Sequence, residues 1–269
     1  MLNHYLTRWN LISDGNLMRT HSSLILPVRQ GEALAMLKIA HAEEEIRGSA
    51  LLAYWNGAGA ATVLDRDGPA LLLERATGVL SLSRMAKYGS DDEACVILCR
   101  VIKQLHEPNV TQPPQLVSLA NWFQALLSAE SLENNILSQA ASVAAGLLAS
   151  PQDIVILHGD IHHGNVLDFG KRGWLVIDPK GLIGERGFDY TNIFSNPDYE
   201  TAAAPGALER RRSIISDAAD LNKTRLTQWI VSQSALSAVW DIDDNLGQIS
   251  EFAASRLAIT AEALRLLSS

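Results

Sequence analysis

The sequence predicts an α+β fold, in which a small β-rich first part is followed by a larger and mainly helical second part. Before Glu74, short apolar runs alternate with turn signals, a pattern that is typical of antiparallel strands and hairpins. After Glu74, apolar residues recur about every 3.6 residues over long windows, as they do in helices with one buried face. The change of pattern places the expected boundary at residue 74, between the units 1–74 and 75–269.

Four apolar runs separated by turn signals predict the strands of the first part, at 24–28, 33–40, 61–64 and 70–73, with turns at 29–32 and 65–68. Residues 41–55 predict a helix, because glutamates stand in its first turn and large apolar residues recur at helical intervals. The Asn56-Gly57 pair is a helix-ending signal. The first part is therefore expected to contain strands and one helix.

The second part combines helices with a few short strands. Helical periodicity predicts helices at 91–107, 116–127 and 132–148, and three or four more between 208 and 267. Short apolar runs predict strands at 154–157, 166–169 and 174–177. Polar residues directly follow the first and the third of these strands, so their ends are the places where we expect chemistry.

Composition limits the classes of protein to which this chain can belong. Its 269 residues are 47% apolar and 19% charged, which is enough for a packed core and excludes an intrinsically disordered chain. The net charge is −8, from 22 basic and 30 acidic residues, so a nucleic-acid partner is not expected. A cationic small molecule suits an acidic protein better.

Cysteine usage and hydropathy predict a cytoplasmic protein without a membrane partner. Cys95 and Cys99, four residues apart on a predicted helix, are expected to be small buried apolar groups and not a disulfide. No run of about 18 apolar residues is present, so no membrane span is expected. Residues 1–10 lack the apolar core of a signal peptide.

The polar stretch after the strand 154–157 carries the strongest chemical signal. It reads HGDIHHGN, and its Asp160 and Asn165 are followed by Asp178 at the end of a later strand. Two strands therefore deliver two carboxylates and one amide to what we expect to be one site. Phosphoryl transfer needs such a set, since one carboxylate orients an attacking hydroxyl and the other oxygens hold Mg²⁺ on the nucleotide phosphates. A single aspartate in a loop is usually a turn or capping residue, whereas the combined pattern is much more specific.

Residues 157–165 and 177–179 resemble the aminoglycoside phosphotransferase branch of the protein-kinase-like fold. The longer segment 157–194 is more similar still to the streptomycin 6-phosphotransferases, which belong to the aminoglycoside/hydroxyurea resistance kinases. Two earlier segments are similar to the same group, namely THSSLILPVRQG at 20–31 and DDEACVILC at 91–99. The resemblance covers nearly the whole chain and weakens after about Thr201. It implies a two-lobed fold with a nucleotide-binding lobe, 1–74, and a catalytic and substrate-binding lobe, 75–269.

The resemblance implies roles for the residues of the motif. Asp160 is expected to be the catalytic carboxylate, and Asn165 and Asp178 are expected to be the ligands of Mg²⁺. Asp178 is followed by Pro179 where protein kinases have phenylalanine. The activation-loop switch of protein kinases is therefore not expected.

The resemblance also implies an ATP site in the first lobe. Lys38 is similar to the strand lysine that contacts the α- and β-phosphates. Because a buried ammonium group needs a partner, we expect Lys38 to pair with Glu45 on the following helix. Glu43 and Glu44 remain alternatives, since the sequence does not settle the phase of that helix.

Two further parts of the ATP site follow from the resemblance. A polar turn replaces the Gly-rich loop of protein kinases, and its Ser22 and Ser23 either cap phosphates or form an ordinary turn. The adenine base is expected to bind backbone groups of Glu74 and Ala76, where the lobes meet.

The acceptor site is expected to involve acidic residues of the second lobe. Asp189 either bonds the backbone of the loop 158–165, which we call the catalytic loop, or contacts the substrate. We favour the first interpretation. Near the end of the chain, Trp240, Asp241 and Asp244 are candidates for binding the guanidinium groups of streptomycin. A solvated helix face explains the same run of charges equally well.

The function that the resemblance implies is ATP- and Mg²⁺-dependent phosphorylation of an aminoglycoside, namely the 6-hydroxyl of streptomycin, giving antibiotic resistance. Hydroxyurea or an endogenous metabolite is the alternative acceptor, because kinship does not fix the substrate. A metal-dependent hydrolase that uses His158, Asp160, His162, His163 and Asp178 is an alternative of another class. A silent nucleotide-binding module is disfavoured, because Lys38 and the three residues of the motif are all present.

Overall fold

The structure of the chain is a computed structural model that describes residues 1–107, 112–128 and 135–268, with residue 135 described by its backbone alone. The first part is an antiparallel sheet flanked by two helices, with the elements α1 (Leu2–Arg8), β1 (Ile12–Ser13), β2 (Met18–Arg19), β3 (Ser23–Gln30), β4 (Ala33–Ala40), α2 (Glu43–Trp55), β5 (Val63–Asp67) and β6 (Ala70–Glu74). The strands lie in the order β1-β3-β4-β6-β5, and β2 pairs with β3 as well. Tyr5 and Trp9, on and just after α1, pack on one face of the sheet.

Both hairpins of the sheet turn more tightly than the sequence predicted. β3 and β4 pair along their full length, from Ser23 opposite Ala40 to Gln30 opposite Ala33. Gly31, at a φ of 59°, permits a two-residue connection there. The predicted turn at 65–68 was wrong, because β5 continues to Asp67. As an edge strand with one face in solvent, β5 accommodates charged residues that looked like a turn.

The second part is mainly helical, with a small three-stranded sheet and a β-hairpin. Its elements are α3 (Leu82–Lys87), α4 (Asp91–Leu105), β7 (Val117–Ser118), α5 (Leu119–Trp122), α6 (Gln124–Ser128), α7 (Asn135–Ala149), β8 (Ile154–Leu157), β9 (Val166–Asp168), β10 (Trp174–Val176), β11 (Leu182–Glu185), α8 (Tyr199–Ala202), α9 (Ala207–Ala219), α10 (Lys223–Asp244) and α11 (Glu251–Ser268). Residues Arg186–Ser195 form a 3₁₀ segment. None of the described helices is long and apolar enough to cross a lipid bilayer.

Two predictions for the second part need correction. The helix predicted at 116–127 is broken, because Val117 and Ser118 pair with β11 and the helical residues that follow are interrupted at the fully buried Phe123. β11 was not predicted, and it pairs antiparallel with β8. Residues 132–134 of the helix predicted at 132–148 lie outside the described residues.

The core of the second part is built around α10 and the 3₁₀ segment. The rings of Phe123, Phe188 and Trp229 lie within 5.8 Å of one another, centroid to centroid. Cys95 and Cys99 are buried, free thiols on one face of α4, as predicted. This packing fixes the 3₁₀ segment and the ends of β8 and β10, from which the functional side chains project.

A buried ion pair anchors the 3₁₀ segment to α4. Arg211 has no exposed surface, and its guanidinium donates two hydrogen bonds to the Asp91 carboxylate at 2.7 and 2.9 Å. A third nitrogen donates to the carbonyls of Ile193 and Asn196, both at 2.7 Å. One buried cation therefore satisfies both a buried carboxylate and the end of the 3₁₀ segment.

Replacing Arg211 by methionine is expected to lower the free energy of unfolding by about 3–5 kcal/mol, because Asp91 would lose its buried counter-charge. Arg210 is a matched control, since it contacts the same carboxylate at 2.8 Å from a 45% exposed position. Arg210→Met should cost at most about 1 kcal/mol. Urea unfolding of the two variants measures both values, and equal losses would contradict the assignment of the anchoring role to Arg211.

Candidate active site

A cavity of about 340 Å³ separates the first sheet from the second part of the chain. Its apolar walls include Ile25 and Leu73 from the sheet and Leu167 and Phe169 from the region of β9. Glu74 and Ala76 lie at its edge, where β6 ends. An apolar space at the end of a strand suits a purine base. We refer to this space as the nucleotide cavity.

The charged end of the nucleotide cavity is centred on Lys38. Its ammonium group forms ion pairs with Glu45 and with Asp178. Glu45, and not Glu43 or Glu44, is therefore the partner of Lys38. Burial alone would raise the pKa of Asp178, but Lys38 beside the carboxylate holds that pKa below its usual range. Asp178 stays negatively charged at neutral pH as a result.

The backbone brings Asp178 to Lys38 in two ways. Asp178 has a φ of 65°, in the left-handed region, so the chain turns sharply after β10. Gly48 of α2 then lies against the carbonyl of Pro179, where an added Cβ would stand only 2.0 Å from the oxygen. Only glycine allows α2 to come this close, and the approach places Glu45 beside Lys38.

Asp160 lies in a cradle of two amide groups. The side-chain nitrogen of Asn165 donates to the Asp160 carbonyl at 2.9 Å and to its carboxylate at 3.3 Å. The side-chain nitrogen of Asn192 donates to the other carboxylate oxygen at 2.9 Å. Gln233 in turn donates to Asn192 at 3.2 Å, which fixes the orientation of that amide. Both Asp160 oxygens are thus held without a counter-ion in contact.

The surroundings of Asp160 change its acidity. The protein environment removes water from the carboxylate and raises its pKa to about 7, while the charge of Lys180 opposes the change. A carboxylate in this range is a better proton acceptor at neutral pH than an ordinary aspartate. About 29% of the side chain remains exposed, so an acceptor molecule can reach it.

Asp160 opens into a second and larger cavity of about 780 Å³. Trp240, Asp243 and Asp244 of α10 line it, together with Lys180 and Glu44. The acidic side chains make this space suitable for a cationic molecule that presents a hydroxyl group. We refer to it as the acceptor cavity.

The structure does not bring Asp241 into the acceptor cavity with its neighbours. Trp240, Asp243 and Asp244 share one helix face because they are three and four residues apart, whereas Asp241 points about 100° away. Its carboxylate accepts a hydrogen bond from Ser250, just before α11. Helix phase therefore places Asp241 outside the set of residues that line the acceptor cavity.

Asp189 is fully enclosed beneath the catalytic loop. Its carboxylate accepts hydrogen bonds from the backbone N–H groups of His158 at 3.0 Å and Gly159 at 2.7 Å, and it contacts His106 at 2.8 Å. Its side chain has no exposed surface. Asp189 is thus placed to brace the loop, as we favoured, and not to contact an acceptor.

The two serines of the polar turn, Ser22 and Ser23, are not among the residues that line the nucleotide cavity. The Ser22 hydroxyl donates to Glu45 at 2.8 Å. Ser23 is 1% exposed, and its hydroxyl has no hydrogen-bond partner among the described residues. Ser22 thus supports the carboxylate that pairs with Lys38, and the capping of phosphates by these hydroxyls stays a prediction.

The three histidines of the loop are neutral and are not arranged as a metal centre. His158 accepts from the backbone N–H of Asp160 at 3.2 Å and donates to the carbonyl of Ile177 at 2.9 Å, so both ring nitrogens are occupied. His162 accepts from the backbone N–H of Gly164 at 3.0 Å. Within residues 1–107, 112–128 and 135–268, no group of three or more His, Cys, Asp or Glu side chains could hold a metal ion. The hydrolase alternative loses its support.

Two of these histidines predict how stability depends on pH. Burial lowers the pKa of His158 to about 4 and that of His163 to about 3. Because these values lie below the ordinary value of about 6.5, the unfolded chain takes up more protons than the folded chain as the pH falls. Stability is therefore lost below about pH 6.5, by about 2 kcal/mol for each histidine between pH 7 and pH 5.

Urea unfolding at pH 7, 6 and 5 measures this loss. His163 is the better residue to change, since neither of its ring nitrogens has a hydrogen-bond partner among the described residues. His163→Leu should make the loss of stability between pH 7 and pH 5 smaller by about 2 kcal/mol, which is the share of this one histidine. A wild-type stability that is flat from pH 7 to pH 5 would contradict the prediction.

Asn165 and Asp178 offer oxygen atoms of the kind that Mg²⁺ prefers. The amide nitrogen of Asn165 is used on Asp160, which leaves its side-chain oxygen for a cation. The backbone carbonyl of Asn165 also accepts a hydrogen bond from the backbone N–H of Ile177 at 2.9 Å. Because Ile177 directly precedes Asp178, this bond holds Asn165 and Asp178 next to each other. The residues present fit a magnesium ion bound to nucleotide phosphates.

Comparison with known proteins agrees with the geometry. The model of the aminoglycoside/hydroxyurea antibiotic resistance kinase family matches residues 8–245. A streptomycin 3''-kinase of Klebsiella pneumoniae is 50% identical over 97% of this chain and 99% of its own length. A streptomycin 6-kinase of Streptomyces griseus is 32% identical over 96% of this chain and 86% of its own length.

Among solved structures, a thermostable variant of the aminoglycoside phosphotransferase APH(4)-Ia, in ternary complex with ADP and hygromycin B, aligns with a TM-score of 0.71. The alignment covers 98% of this chain and 97% of that one, at 13% sequence identity. At this identity the likeness shows the fold alone. The protein-kinase-like α+β fold predicted from the sequence is confirmed.

Proposed function

The chain belongs to the aminoglycoside/hydroxyurea antibiotic resistance kinase family, and we propose that it transfers the γ-phosphate of ATP to a hydroxyl group of streptomycin. The observation that carries the proposal is the position of Asp160 in the wall of the acidic acceptor cavity, with Lys38, Glu45 and Asp178 in the adjoining nucleotide cavity. Both substrates of such a reaction have a space of suitable chemistry. Asp160 lines one space and Asp178 the other, and the two carboxylates are close enough to interact electrostatically.

The hydroxyl that we propose first is at position 3''. The sequence alone led us to expect position 6, but the relative that is 50% identical is named a streptomycin 3''-kinase, and the one that is 32% identical is named a 6-kinase. Position 6 stays as the second candidate. The size of the acceptor cavity, about 780 Å³, supports an aminoglycoside over hydroxyurea, which would leave most of it empty.

The proposed reaction assigns a role to each group. Asp160 orients the acceptor hydroxyl and takes its proton, while Lys38, held by Glu45, binds the α- and β-phosphates. Asn165 and Asp178 would hold Mg²⁺, which offsets charge on the phosphates when it is bound. The acceptor's cationic groups bind to the acidic face of α10, formed by Trp240, Asp243 and Asp244.

The same proposal covers the lobes and the cellular setting. Residues 1–74 with the backbone of Glu74 and Ala76 bind the nucleotide, and residues 75–269 bind the acceptor and carry Asp160. Because the reaction consumes ATP, we place the protein in the cytoplasm. Phosphorylated streptomycin would no longer act as the drug, so expression in a susceptible bacterium is expected to raise the inhibitory concentration of streptomycin.

A coupled ADP-release assay with streptomycin, hygromycin B, hydroxyurea and simple sugars tests the proposal. We expect turnover with streptomycin, dependent on Mg²⁺, and ³¹P–¹H correlation NMR of the product should place the phosphate at 3''. Phosphate at position 6 would overturn the regiochemistry alone. No ADP release with streptomycin, from protein that binds ATP, would overturn the substrate and leave hydroxyurea or a metabolite.

A further inference from the structure

Lys180 lies at the boundary between the two cavities, two residues after Asp178. Its Nζ is 2.7 Å from a carboxylate oxygen of Glu44, and its backbone N–H donates to the carbonyl of His158 at 2.7 Å. The side chain lines the acceptor cavity and is 20% exposed. Lys180 is therefore held by its backbone to the loop that carries His158 and by its ammonium group to α2, with part of the side chain open to the cavity.

The first turn of α2 divides two neighbouring glutamates between the cavities. Glu45 pairs with Lys38 in the nucleotide cavity, and Glu44 pairs with Lys180 in the acceptor cavity. Asp178 and Lys180 are divided in the same way. A phosphoryl group that leaves the nucleotide for an acceptor beside Asp160 therefore passes Lys180.

The acceptor cavity needs a cation at this point. A phosphoryl group carries negative charge into a space whose described walls bear four carboxylates, those of Glu44, Asp160, Asp243 and Asp244. Repulsion at close range in a partly dry site costs several kcal/mol unless a fixed positive charge opposes it. Such a charge must face the path of the group.

Two cations, Lys180 and Arg256, line the acceptor cavity in the described part of the chain. Arg256 donates to the carbonyl of Ser195 at 2.8 Å and lies 4.5 Å over the ring of Phe252. Lys180 interacts electrostatically with both Asp160 and Asp178 as well as with Glu44.

We propose that Lys180 is a catalytic residue whose ammonium group binds the oxygens of the γ-phosphoryl group during transfer, and that Glu44 is the positioning residue that holds it there. The proposal rests on the kinase function proposed above. In the step, the bond from the γ-phosphorus to the ADP oxygen breaks with its electron pair going to ADP. A bond from the acceptor oxygen to the phosphorus forms, the hydroxyl proton goes to Asp160, and Lys180 keeps its protons throughout.

The test compares Lys180→Met, Lys180→Arg and Glu44→Gln with the wild type. Lys180→Met should lower kcat by about 100-fold with little change in the KM for ATP, because the contact forms mainly in the transition state. Lys180→Arg should recover at least a tenth of the wild-type kcat, since it restores the charge. Glu44→Gln should lower kcat by about tenfold.

Lys87→Met is the matched control. Lys87 pairs with Asp198 at 2.6 Å on the surface, away from both cavities, and its loss should leave kcat unchanged. A Lys180→Met variant that keeps kcat within threefold of the wild type would overturn the proposal. A raised KM for streptomycin in that variant would mean that Lys180 only binds the acceptor.

A second measurement does not need the acceptor. Binding of ADP with Mg²⁺ and aluminium fluoride, followed by ¹⁹F NMR, reports on a planar phosphoryl analogue beside Asp160. The wild type and Lys87→Met should form the complex, whereas Lys180→Met should bind ADP normally and form it at least tenfold less tightly. If streptomycin is not a substrate, the proposed function fails in the assay while this measurement still decides the role of Lys180, and equal analogue affinity would reject it.

Discussion

Asp160→Asn is expected to lower kcat by about 10³-fold while leaving the affinity for ATP within about twofold of the wild type. Asp160 lines the acceptor cavity, and the nucleotide cavity is lined by other residues. Asparagine has nearly the same shape but cannot accept a proton at neutral pH. The loss should therefore fall on the chemical step and not on nucleotide binding.

Asn192→Ala is the control that separates loss of the carboxylate from loss of a hydrogen bond. In Asp160→Asn, one oxygen becomes an amide nitrogen, so one of the donors, Asn165 or Asn192, loses its acceptor. Asn192→Ala removes the stronger of these bonds and keeps the carboxylate. We expect it to lower kcat by about tenfold.

Steady-state kinetics with streptomycin and calorimetry with a non-hydrolysable ATP analogue measure these effects. A kcat in Asp160→Asn that is no lower than in Asn192→Ala would show that the carboxylate only shapes the loop. A parallel loss of nucleotide affinity and thermal stability would mean that the variant is misfolded. In that case Asp160→Glu is measured instead, because it keeps the negative charge but moves it by about 1.5 Å. A wild-type kcat in Asp160→Glu would contradict the proposal that Asp160 orients the acceptor hydroxyl.

The positions of Asp160, Asn165 and Asp178 could be predicted because they depend on strand ends. β8 and β10 are short apolar runs that stop at polar residues, and the polar residues stay where the strands leave them. The pairing of Lys38 was also within reach, since a lysine in an apolar strand needs a carboxylate nearby. Choosing Glu45 over Glu44 required the helix phase, which the packing of Gly48 on Pro179 sets.

Residues that act through long-range packing could not be predicted in the same way. Asn192 follows Asp189 by three residues on a 3₁₀ segment, so the two side chains share a face. The three-residue spacing of Asp189 and Asn192 would have indicated a shared face if the 3₁₀ segment had been known. The pattern of apolar residues in the sequence does not predict a 3₁₀ segment. Lys180 was missed because its role depends on Glu44, which is more than a hundred residues away in the chain.

The set of residues that line the acceptor cavity depends on side-chain direction, which a run of acidic residues does not reveal. A run of acidic residues on a helix presents only part of itself to any one side, and a shift of one residue turns a side chain by about 100°. Asp241 and Asp244 looked equivalent in the sequence, yet only Asp244 lines the cavity. The same holds for Ser22, whose hydroxyl donates to Glu45, a contact that depends on side-chain direction and not on sequence pattern.

Asp178→Asn is the other substitution from which we expect a large effect, a fall in kcat of about three orders of magnitude. An amide oxygen at this position binds a divalent cation more weakly than a carboxylate does. The folded state should survive the change, because Glu45 still pairs with Lys38 when Asp178 becomes neutral. The thermal midpoint is therefore expected to shift by only a few degrees.

Titration of Mg²⁺ distinguishes a metal ligand from a partner of Lys38. In the wild type, removing Mg²⁺ with EDTA should abolish turnover, and adding it should tighten ATP binding. In Asp178→Asn, the Mg²⁺ concentration for half-maximal activity should rise at least tenfold, and ATP binding without Mg²⁺ should be as tight as in the wild type or tighter, since a negative charge beside the phosphates is gone.

Asp243→Asn provides the contrast for this experiment, because it neutralises a carboxylate of the acceptor cavity. It should raise the KM for streptomycin without changing the Mg²⁺ requirement. If Asp178→Asn leaves the Mg²⁺ requirement unchanged and instead weakens ATP binding in EDTA, then Asp178 serves to hold Lys38 and the ion is bound elsewhere. Because the two roles predict opposite changes in metal-free ATP affinity, one binding isotherm in EDTA separates them.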